Sequence, residues 1–181
     1  MLENESLWDT ATQCHQLLAA AGIPHAVLDG VAVCLHGYQR NTVDLDLLVR
    51  NQDFDQLRAT LEKEGYVWDT KCAEFRTASG IAVQLLMAGD RAGPDSEARL
   101  PDPNDKRTWT EIEGLPVLTL ARLIESKIAC GQGNLRRTHK DYADVVELIA
   151  RHRLNSAFAR FLHKSLRPAF RQLVRAARGA G

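Results

Sequence analysis

Two aspartates, Asp44 and Asp46, stand at the start of the apolar stretch VDLDLLV and are the first candidates for chemistry. Side chains alternate along a β-strand, so the two carboxylates share one face while Leu45 and Leu47 take the other. Carboxylates held close together repel each other unless a cation or a shared proton lies between them. Because Mg²⁺ takes carboxylate and phosphate oxygens as ligands, the pair predicts a divalent-metal site. A simpler alternative puts both aspartates on the solvent face of an edge strand.

The residues around this pair favour the metal site. The stretch VLDGVAVCLHGYQRNTVDLDLLV reads as a strand, a glycine turn, a short helix, a second glycine, an Arg-x-Thr turn and the two-aspartate strand. This order resembles the nucleotidyltransferase superfold, the DNA-polymerase-beta-like group, and specifically its AbiEii-toxin-like branch. The matching positions are Gly30, Ala32, Gly37, Arg40, Thr42, Asp44 and Asp46.

A second part of the resemblance lies in LTLARLIESKIACGQGNLRRTHKDYADVVELI, which is similar to the family's lysine-bearing helix and its following Lys-Asp-x-x-Asp helix. The resemblance implies that Lys127 binds triphosphate and that Asp141 belongs to the active site. Lys127 falls within the apolar stripe of its helix, so the side chain either extends past the packing into solvent or points into a cleft. Thr138 and Asp141 also have capping-box spacing, which explains Asp141 as a helix start. Lys140 and Asp144 could as easily be surface residues.

Physical roles can be given to the matching residues. A glycine turn at Gly30 that opens a helix lets backbone N–H groups approach phosphate. Metal ions held by Asp44 and Asp46 would bridge the phosphates of an NTP while a hydroxyl displaces pyrophosphate. Arg40 and Thr42 either touch phosphate and position the strand, or are ordinary polar turn residues.

Two residues depart from the family pattern. Asp29 stands where the family usually has glycine, and a carboxylate there repels phosphate unless it points away or joins the metal ligands. Gln84 stands where a third carboxylate is expected, and an amide cannot act as a general base. Glu74 or Asp90 are candidates to replace that carboxylate. The departures leave open a second function, a catalytically impaired module of the same fold that binds nucleotide or a partner.

The elements that must position these residues follow from periodicity and turn residues. Helices are expected at 7–21 after a capping box at Ser6, at a short segment ending at Gly37, at 54–64 capped by Asp53, and at 119–131 and 138–152. Strands are expected at 23–29, 43–49, 66–69, 74–77, 81–87 and 109–113, with a long loop at 88–105 and a turn at 114–116. The tail from residue 154 reads as an amphipathic helix with a kink at Pro168.

Composition sets the broad class. The 181 residues are 45% hydrophobic, which fits one globular α+β domain built on a small mixed sheet, with a core at 1–115 and a helical part at 116–181. No apolar run approaches the ~20 residues that span a bilayer, and the acidic N-terminus lacks the features of a signal peptide, so a cytoplasmic location is expected. The four cysteines show no CxxC spacing, so neither a zinc site nor a disulfide framework is indicated.

Charge is distributed unevenly along the chain. The net charge is zero, but residues 1–147 carry 15 basic against 23 acidic residues. All charged residues after Glu147 are basic. In the tail the spacing predicts one helical stripe of six cations that can contact a nucleic-acid backbone, or that is simply a solvated outer face. The stripe consists of Arg160, Lys164, Arg167, Arg171, Arg175 and Arg178.

The function that the resemblance implies is Mg²⁺- or Mn²⁺-dependent transfer of a nucleotidyl group from an NTP to a hydroxyl. The acceptor could be RNA, such as tRNA in toxin-like members, or a protein or a small molecule. A toxin-type enzyme would also have an antitoxin protein as partner. The alternatives are the catalytically impaired module, and a plain α+β domain that shares the pattern by chance.

Overall fold

The structure of the protein, a computed structural model, describes residues 2–179, with side chains for residues 7–134 and 136–179. Strands in that range, in chain order, are β1 (His25–Leu28), β2 (Asp44–Val49), β3 (Val67–Asp69), β4 (Glu74–Arg76), β5 (Ala82–Met87), β6 (Trp109–Ile112) and β7 (Leu115–Leu118). The α-helices are α1 (Leu2–Ala20), α2 (Asp29–Leu35), α3 (Phe54–Lys63), α4 (Leu120–Gly133), α5 (Leu135–Arg151) and α6 (Arg167–Gly179). Short 3-10 helices lie at Asn51–Asp53, Ser156–Phe161 and Lys164–Leu166.

The strands form one mixed sheet in the spatial order β3-β4-β5-β2-β1-β7-β6. β2 is parallel to β5 and β1 is parallel to β7, while β1 and β2 are antiparallel to each other. The predicted α+β class with a mixed sheet is therefore confirmed. β2 lies in the middle of the sheet and is buried from Leu45 to Val49, so the edge-strand alternative for its two aspartates is wrong.

The helices pack against this sheet and against one another. α1 packs against α3, β2 and β7, whereas α2 packs against β1, β2 and α4. α4 in turn packs along α5, and α6 packs on α5. The short helix predicted after the first strand is α2, as expected, and its buried small residues let it fit between the sheet and α4.

β7 is the element that the sequence did not predict. The segment GLP was expected to be a turn, but the turn lies one step earlier, at Glu113 and Gly114, which both have positive φ. All four residues of β7 are buried, and Val117 pairs with Val27 of β1. Pro116 lacks an N–H and is unusual inside a sheet, which made the segment resemble a turn. The expected boundary of the core at residue 115 falls on this strand, and the two-part division stays a prediction.

Three predicted helix caps differ from the structure. α1 begins at Leu2, and the capping box predicted at Ser6 concerns a side chain outside the described ones. Asp53 does not cap α3, because its carboxylate accepts hydrogen bonds from Arg50 instead. α5 is capped by Asn134, which accepts from the Arg136 N–H at 3.0 Å, while the Thr138 hydroxyl donates to backbone carbonyls. The capping-box explanation of Asp141 is therefore wrong.

The tail is not one kinked helix. Two 3-10 helices precede α6, and Pro168 is the second residue of α6, where a missing N–H breaks no helical hydrogen bond. Phe170, Leu173 and Val174 form the buried face of α6. The six predicted cations therefore do not share one helix, because Arg160 and Lys164 lie before α6. None of the helices in residues 2–179 is long and apolar enough to cross a membrane.

Candidate functional site

A cleft of about 340 Å³ lies where the end of β1, the middle of β2 and β5, α4 and the start of α5 meet. Ala92 and Leu100, from the loop between β5 and β6, form an apolar part of its wall. Gly93 keeps this loop against α4, since a Cβ at that position would overlap the Ala129 carbonyl oxygen. The polar and charged lining of the cleft includes Asp29, Asp46, Gln84, Lys127, Arg137 and Asp141.

Strand register explains why the acidic residues meet here. Leu28, the last residue of β1, pairs with Asp46 across the antiparallel β1–β2 ladder. Asp29 follows directly, so it enters the cleft beside the two-aspartate strand. On the other side of β2, Gln84 pairs with Asp46 in the parallel β2–β5 ladder. Asp29, at the end of β1, therefore lies close to Asp46 on β2 and Gln84 on β5.

Asp44 and Asp46 lie on the same face of β2, as predicted. Asp46 is only 5% exposed, and Asp44 is half-buried at the first position of the strand. Among the described side chains, neither carboxylate has a hydrogen-bond or ion-pair partner. Burial raises the pKa of Asp46 to about 8, and the negative charges of Asp29 and Asp44 add to the effect. A buried, unpartnered carboxylate beside a second one fits a divalent cation, whose charge would favour the ionised form of both.

The position beside Asp46 on β5, where a third carboxylate was expected, holds an amide. Gln84 occupies this position, and its amide donates to Glu74 at 3.4 Å. Glu74 lies one strand further away and pairs with Arg76, so its carboxylate is already engaged. Asp90 is exposed and is not among the described residues that line the cleft. Neither of the two substitutes considered from the sequence therefore brings a free carboxylate to Asp46.

Lys127 points into the cleft and does not extend to solvent, since it is only 2% exposed. Its ammonium lies 2.9 Å from Asp141 Oδ1 and 2.8 Å from Asp144 Oδ2, and it also contacts Asp29 Oδ1. Burial alone would lower the pKa of Lys127, but the three carboxylates outweigh it and raise the pKa above its ordinary value. Lys127 is therefore a permanent cation in this cleft, and Asp144 is not a surface residue.

Two arginines complete the cluster around Lys127. Arg40 binds Asp144 through two nitrogens, at 2.7 Å and 3.0 Å. Arg137 Nη2 donates to Asp29 Oδ2 at 2.6 Å, and its Nε lies 3.2 Å from Asp141 Oδ2. Three cations and three carboxylates thus balance in charge. Arg137 was not predicted from the sequence, although its position one helical turn before Asp141 is a usable signal.

Asp29 is the first residue of α2 and has a left-handed backbone, with φ at 51°. Aspartate tolerates this conformation better than most residues, but glycine adopts it more easily. Burial raises the pKa of Asp29, yet the positive charges of Lys127 and Arg137 dominate and bring it down to about 2. Asp29 therefore neither points away from the cleft nor stands free, because it is an ionised partner of Lys127 and Arg137 and also lies 3.7 Å from Arg40.

Oxygen atoms of Asp29, Asp141 and Asp144 lie within 4.8 Å of one another, close enough to hold one metal ion. The Lys127 ammonium already contacts all three, so an ion at that place would have to displace a buried lysine. The unpartnered pair Asp44 and Asp46 is the better metal site on these grounds.

Gly30, Arg40, Thr42 and Asp44 are not among the described residues that line the cleft. Gly30 instead lies against Thr42, and a Cβ on Gly30 would overlap the Thr42 hydroxyl oxygen. Asp46, Lys127 and Asp141 are the predicted site residues that the structure brings together in the cleft. Their roles in a reaction stay predictions.

A family described as uncharacterised nucleotidyltransferases matches residues 1–120, which is more than half of the chain. The chain belongs to this family. The matched segment contains the two-aspartate strand and Asp29, and it ends at the first residue of α4. The predicted relationship to nucleotidyltransferases is therefore confirmed. No curated protein gives a significant match to the chain.

Solved structures with a similar fold agree with this family. One is ANT(2″)-Ia in complex with adenylyl-2″-tobramycin, with 18% identity, a TM-score of 0.56, and coverage of 91% of this chain and 98% of that one. Another is an antigenic nucleotidyltransferase-like protein from Paracoccidioides brasiliensis, with 19% identity, a TM-score of 0.53, and coverage of 81% and 77%. A third, JHP933 from Helicobacter pylori, has 17% identity, a TM-score of 0.50, and coverage of 88% and 71%. At these identities the similarity shows the nucleotidyltransferase fold alone.

Proposed function

We propose that the protein transfers a nucleotidyl group from an NTP to a hydroxyl, with Mg²⁺ or Mn²⁺ held by Asp44 and Asp46. One observation carries this function. Asp46 is buried without a partner among the described side chains, in the wall of a cleft that the cations Lys127 and Arg137 also line. A carboxylate pair for metal and cations for phosphate are the two requirements for binding a metal-bound triphosphate.

The other predicted site residues bind phosphate or hold the phosphate-binding and metal-binding side chains in position. Lys127 binds phosphate as a fixed positive charge, and Asp141 holds the lysine in place at 2.9 Å. Arg40 holds Asp144, the other buried partner of Lys127. Gly30 and Thr42 pack together and set the position of the chain that leads into β2. A bound divalent cation supplies charge neutralisation at the phosphates during displacement of pyrophosphate.

The acceptor is an RNA, a protein or a small molecule. The structure of ANT(2″)-Ia contains an adenylylated tobramycin, which makes a small hydroxyl compound one acceptor to test. The resemblance to the AbiEii-toxin-like branch supports a toxin-type role with RNA as acceptor and an antitoxin protein as partner. Arg171, Arg175 and Arg178 are exposed on α6 and could contact RNA phosphates.

The test is transfer of label from each of the four NTPs, labelled at the α-phosphate, in Mg²⁺ or Mn²⁺. Acceptors are total RNA, whole-cell protein and an aminoglycoside mixture. We expect transfer by the wild type and a loss of at least about 100-fold in Asp44→Asn and Asp46→Asn, because each removes a metal ligand. Asp90→Asn is the matched control, since this exposed carboxylate lies outside the cleft, and it should leave transfer unchanged.

A second candidate function is nucleotide or partner binding without transfer. Gln84 favours it, because an amide stands where a proton-accepting carboxylate would be expected, beside Asp46. NTP binding that requires Asp46, together with no transfer to any acceptor, would select this candidate. Transfer that persists in Asp46→Asn would contradict both.

An RNA acceptor has its own test. The triple variant Arg171→Ala, Arg175→Ala, Arg178→Ala should weaken RNA binding and reduce its dependence on salt concentration. The matched control removes three exposed arginines from the segment between β5 and β6, at Arg91, Arg99 and Arg107. Equal losses in both variants would indicate a general effect of net charge, with no specific role for α6.

A further inference from the structure

We infer that Lys127 and Arg137 together form the polyphosphate-binding site of the cleft, and that the Asp29 carboxylate occupies this site until a nucleotide displaces it. This inference rests on the proposed function and extends it to two residues, Arg137 and Asp29, that the family resemblance did not assign.

The carboxylate of Asp29 bridges the two cations. Its Oδ1 contacts the Lys127 ammonium, and its Oδ2 accepts from Arg137 Nη2 at 2.6 Å. One anionic group with two oxygens on two different cations is the arrangement that a phosphate group adopts between a lysine and an arginine. Asp29, Lys127 and Arg137 all line the cleft, so a phosphate that enters it meets the same two donors.

Asp29 differs in burial from the other carboxylates of the cluster. The Asp141 and Asp144 side chains, both on α5, are 0% and 2% exposed, whereas the Asp29 side chain is 20% exposed. Lys127 keeps both buried partners, at 2.9 Å and 2.8 Å, when Asp29 moves away. Departure of Asp29 therefore leaves the lysine in place, while departure of either buried aspartate would leave an α5 carboxylate or the lysine poorly compensated.

The accessibility of Arg137 agrees with a ligand-binding role. Its side chain is 41% exposed, the largest exposed fraction among the three cations of the cluster. Its second contact, 3.2 Å to Asp141, keeps the guanidinium at the cleft after Asp29 has left. The planar guanidinium can then take two oxygens of a phosphate in place of the single carboxylate oxygen.

The charge balance changes in the direction that favours an anion. Three cations, Lys127, Arg137 and Arg40, face three carboxylates while Asp29 is in place. Without Asp29 the cluster carries one uncompensated positive charge next to the cleft. A polyphosphate, with more negative charge than a carboxylate, is the ligand class that can outcompete Asp29 for both cations.

The backbone of Asp29 is also strained. A non-glycine residue at φ 51° is held in a sparsely populated conformation. The ion pairs with Lys127 and Arg137 hold the residue there. Exchange of carboxylate for phosphate releases this restraint on the first residue of α2.

The experiment measures binding of inorganic tripolyphosphate without metal, and of a non-hydrolysable Mg²⁺·NTP analogue, by calorimetry. We expect Asp29→Asn and Asp29→Gly to bind both ligands about tenfold more tightly than the wild type, because no internal anion competes. Glycine also suits the positive φ, so this variant remains informative if the asparagine variant is unstable. Arg137→Gln should weaken binding of both ligands by about tenfold.

Asp144→Asn is the control for charge alone, since it removes one negative charge from the same lysine at a position outside the cleft lining and should tighten binding clearly less. Greater tightening in the Asp29 variants supports the inference. Equal tightening in Asp144→Asn, or unchanged binding in both Asp29 variants, overturns it. Label transfer by the wild type with unchanged binding in the Asp29 variants would overturn only this inference. Tighter tripolyphosphate binding without transfer from any NTP would support it and reject nucleotidyl transfer.

Discussion

The Lys127 ammonium donates a hydrogen bond to Asp141 over 2.9 Å, and both side chains are almost fully buried between α4 and α5. A charged pair in this environment depends on each member, because either one alone would be a buried charge without compensation. The cluster that contains this pair joins four separate parts of the chain: the start of α2, the segment between α2 and β2 that carries Arg40, α4 and α5. It therefore couples the stability of the fold to the geometry of the cleft.

Lys127→Met should lower the free energy of unfolding by about 3–5 kcal/mol, because it leaves the three carboxylates of the cluster with only two cations, Arg40 and Arg137. The matched control is Lys140→Met on the next helix, where the lysine is exposed and the change should stay within about 0.5 kcal/mol. Chemical denaturation of both variants measures the difference. Similar stabilities of the two variants would show that the cluster adds nothing to the fold.

The pH dependence of stability should identify Asp46 as a buried neutral acid in the metal-free protein. Its pKa is about 8 in the folded state against an ordinary value of 3.8, so between these values the folded protein keeps a proton that the unfolded chain releases. The contribution of Asp46 to the free energy of unfolding therefore falls as pH rises from about 4 to about 8, by at most about 1.4 kcal/mol per pH unit.

Asp46→Asn is the reference for this measurement, since asparagine has no proton to lose. The difference between the wild-type and variant curves of stability against pH removes contributions that both share, including those of the buried histidines. We expect the variant to become relatively more stable toward pH 8. Mn²⁺ should also raise the melting temperature of the wild type more at pH 8 than at pH 6, and should not do so for the variant. A flat difference curve would mean that Asp46 is ionised throughout.

Gly30 should be intolerant of a side chain because of its contact with Thr42. A Cβ at Gly30 would overlap the Thr42 hydroxyl oxygen, so Gly30→Ala should destabilise the protein by about 1–3 kcal/mol. Thr42→Ala removes that oxygen and should recover about 1 kcal/mol of the loss, whereas Thr42→Ser keeps it and should recover nothing. Denaturation of the single and double variants gives the coupling. Equal recovery by alanine and serine would place the strain elsewhere.

The sequence predicted most of the sheet and the two-aspartate strand because these segments have clear alternation and turn residues. It missed β7, because four buried residues that include Pro116 carry no periodicity. In the site, Asp46, Lys127 and Asp141 were predicted from the sequence. Asp29 was expected to point away from the cleft or to join the metal ligands, and Arg137 was not predicted. The contact between Asp29 and Arg137 joins residues far apart in the chain, and no local pattern can indicate such a pairing.

Gln84 permits the most direct test of how many carboxylates the cleft needs. Gln84→Glu places a third carboxylate beside Asp46 in the β2–β5 ladder. The added like charge should destabilise the metal-free protein by about 1 kcal/mol at pH 8. The same charge should increase the rise in melting temperature that Mn²⁺ produces, because another oxygen ligand becomes available.

Gln84→Met is the control for this substitution, since it has similar size and no charge. If nucleotidyl transfer takes place, Gln84→Glu should also transfer faster than the wild type, because a carboxylate can accept the proton of the attacking hydroxyl and an amide cannot. Gln84→Met should then transfer no faster than the wild type. Equal responses of the glutamate and methionine variants to Mn²⁺ would show that residue 84 does not reach the metal, and that Asp44 and Asp46 must hold it without help from β5.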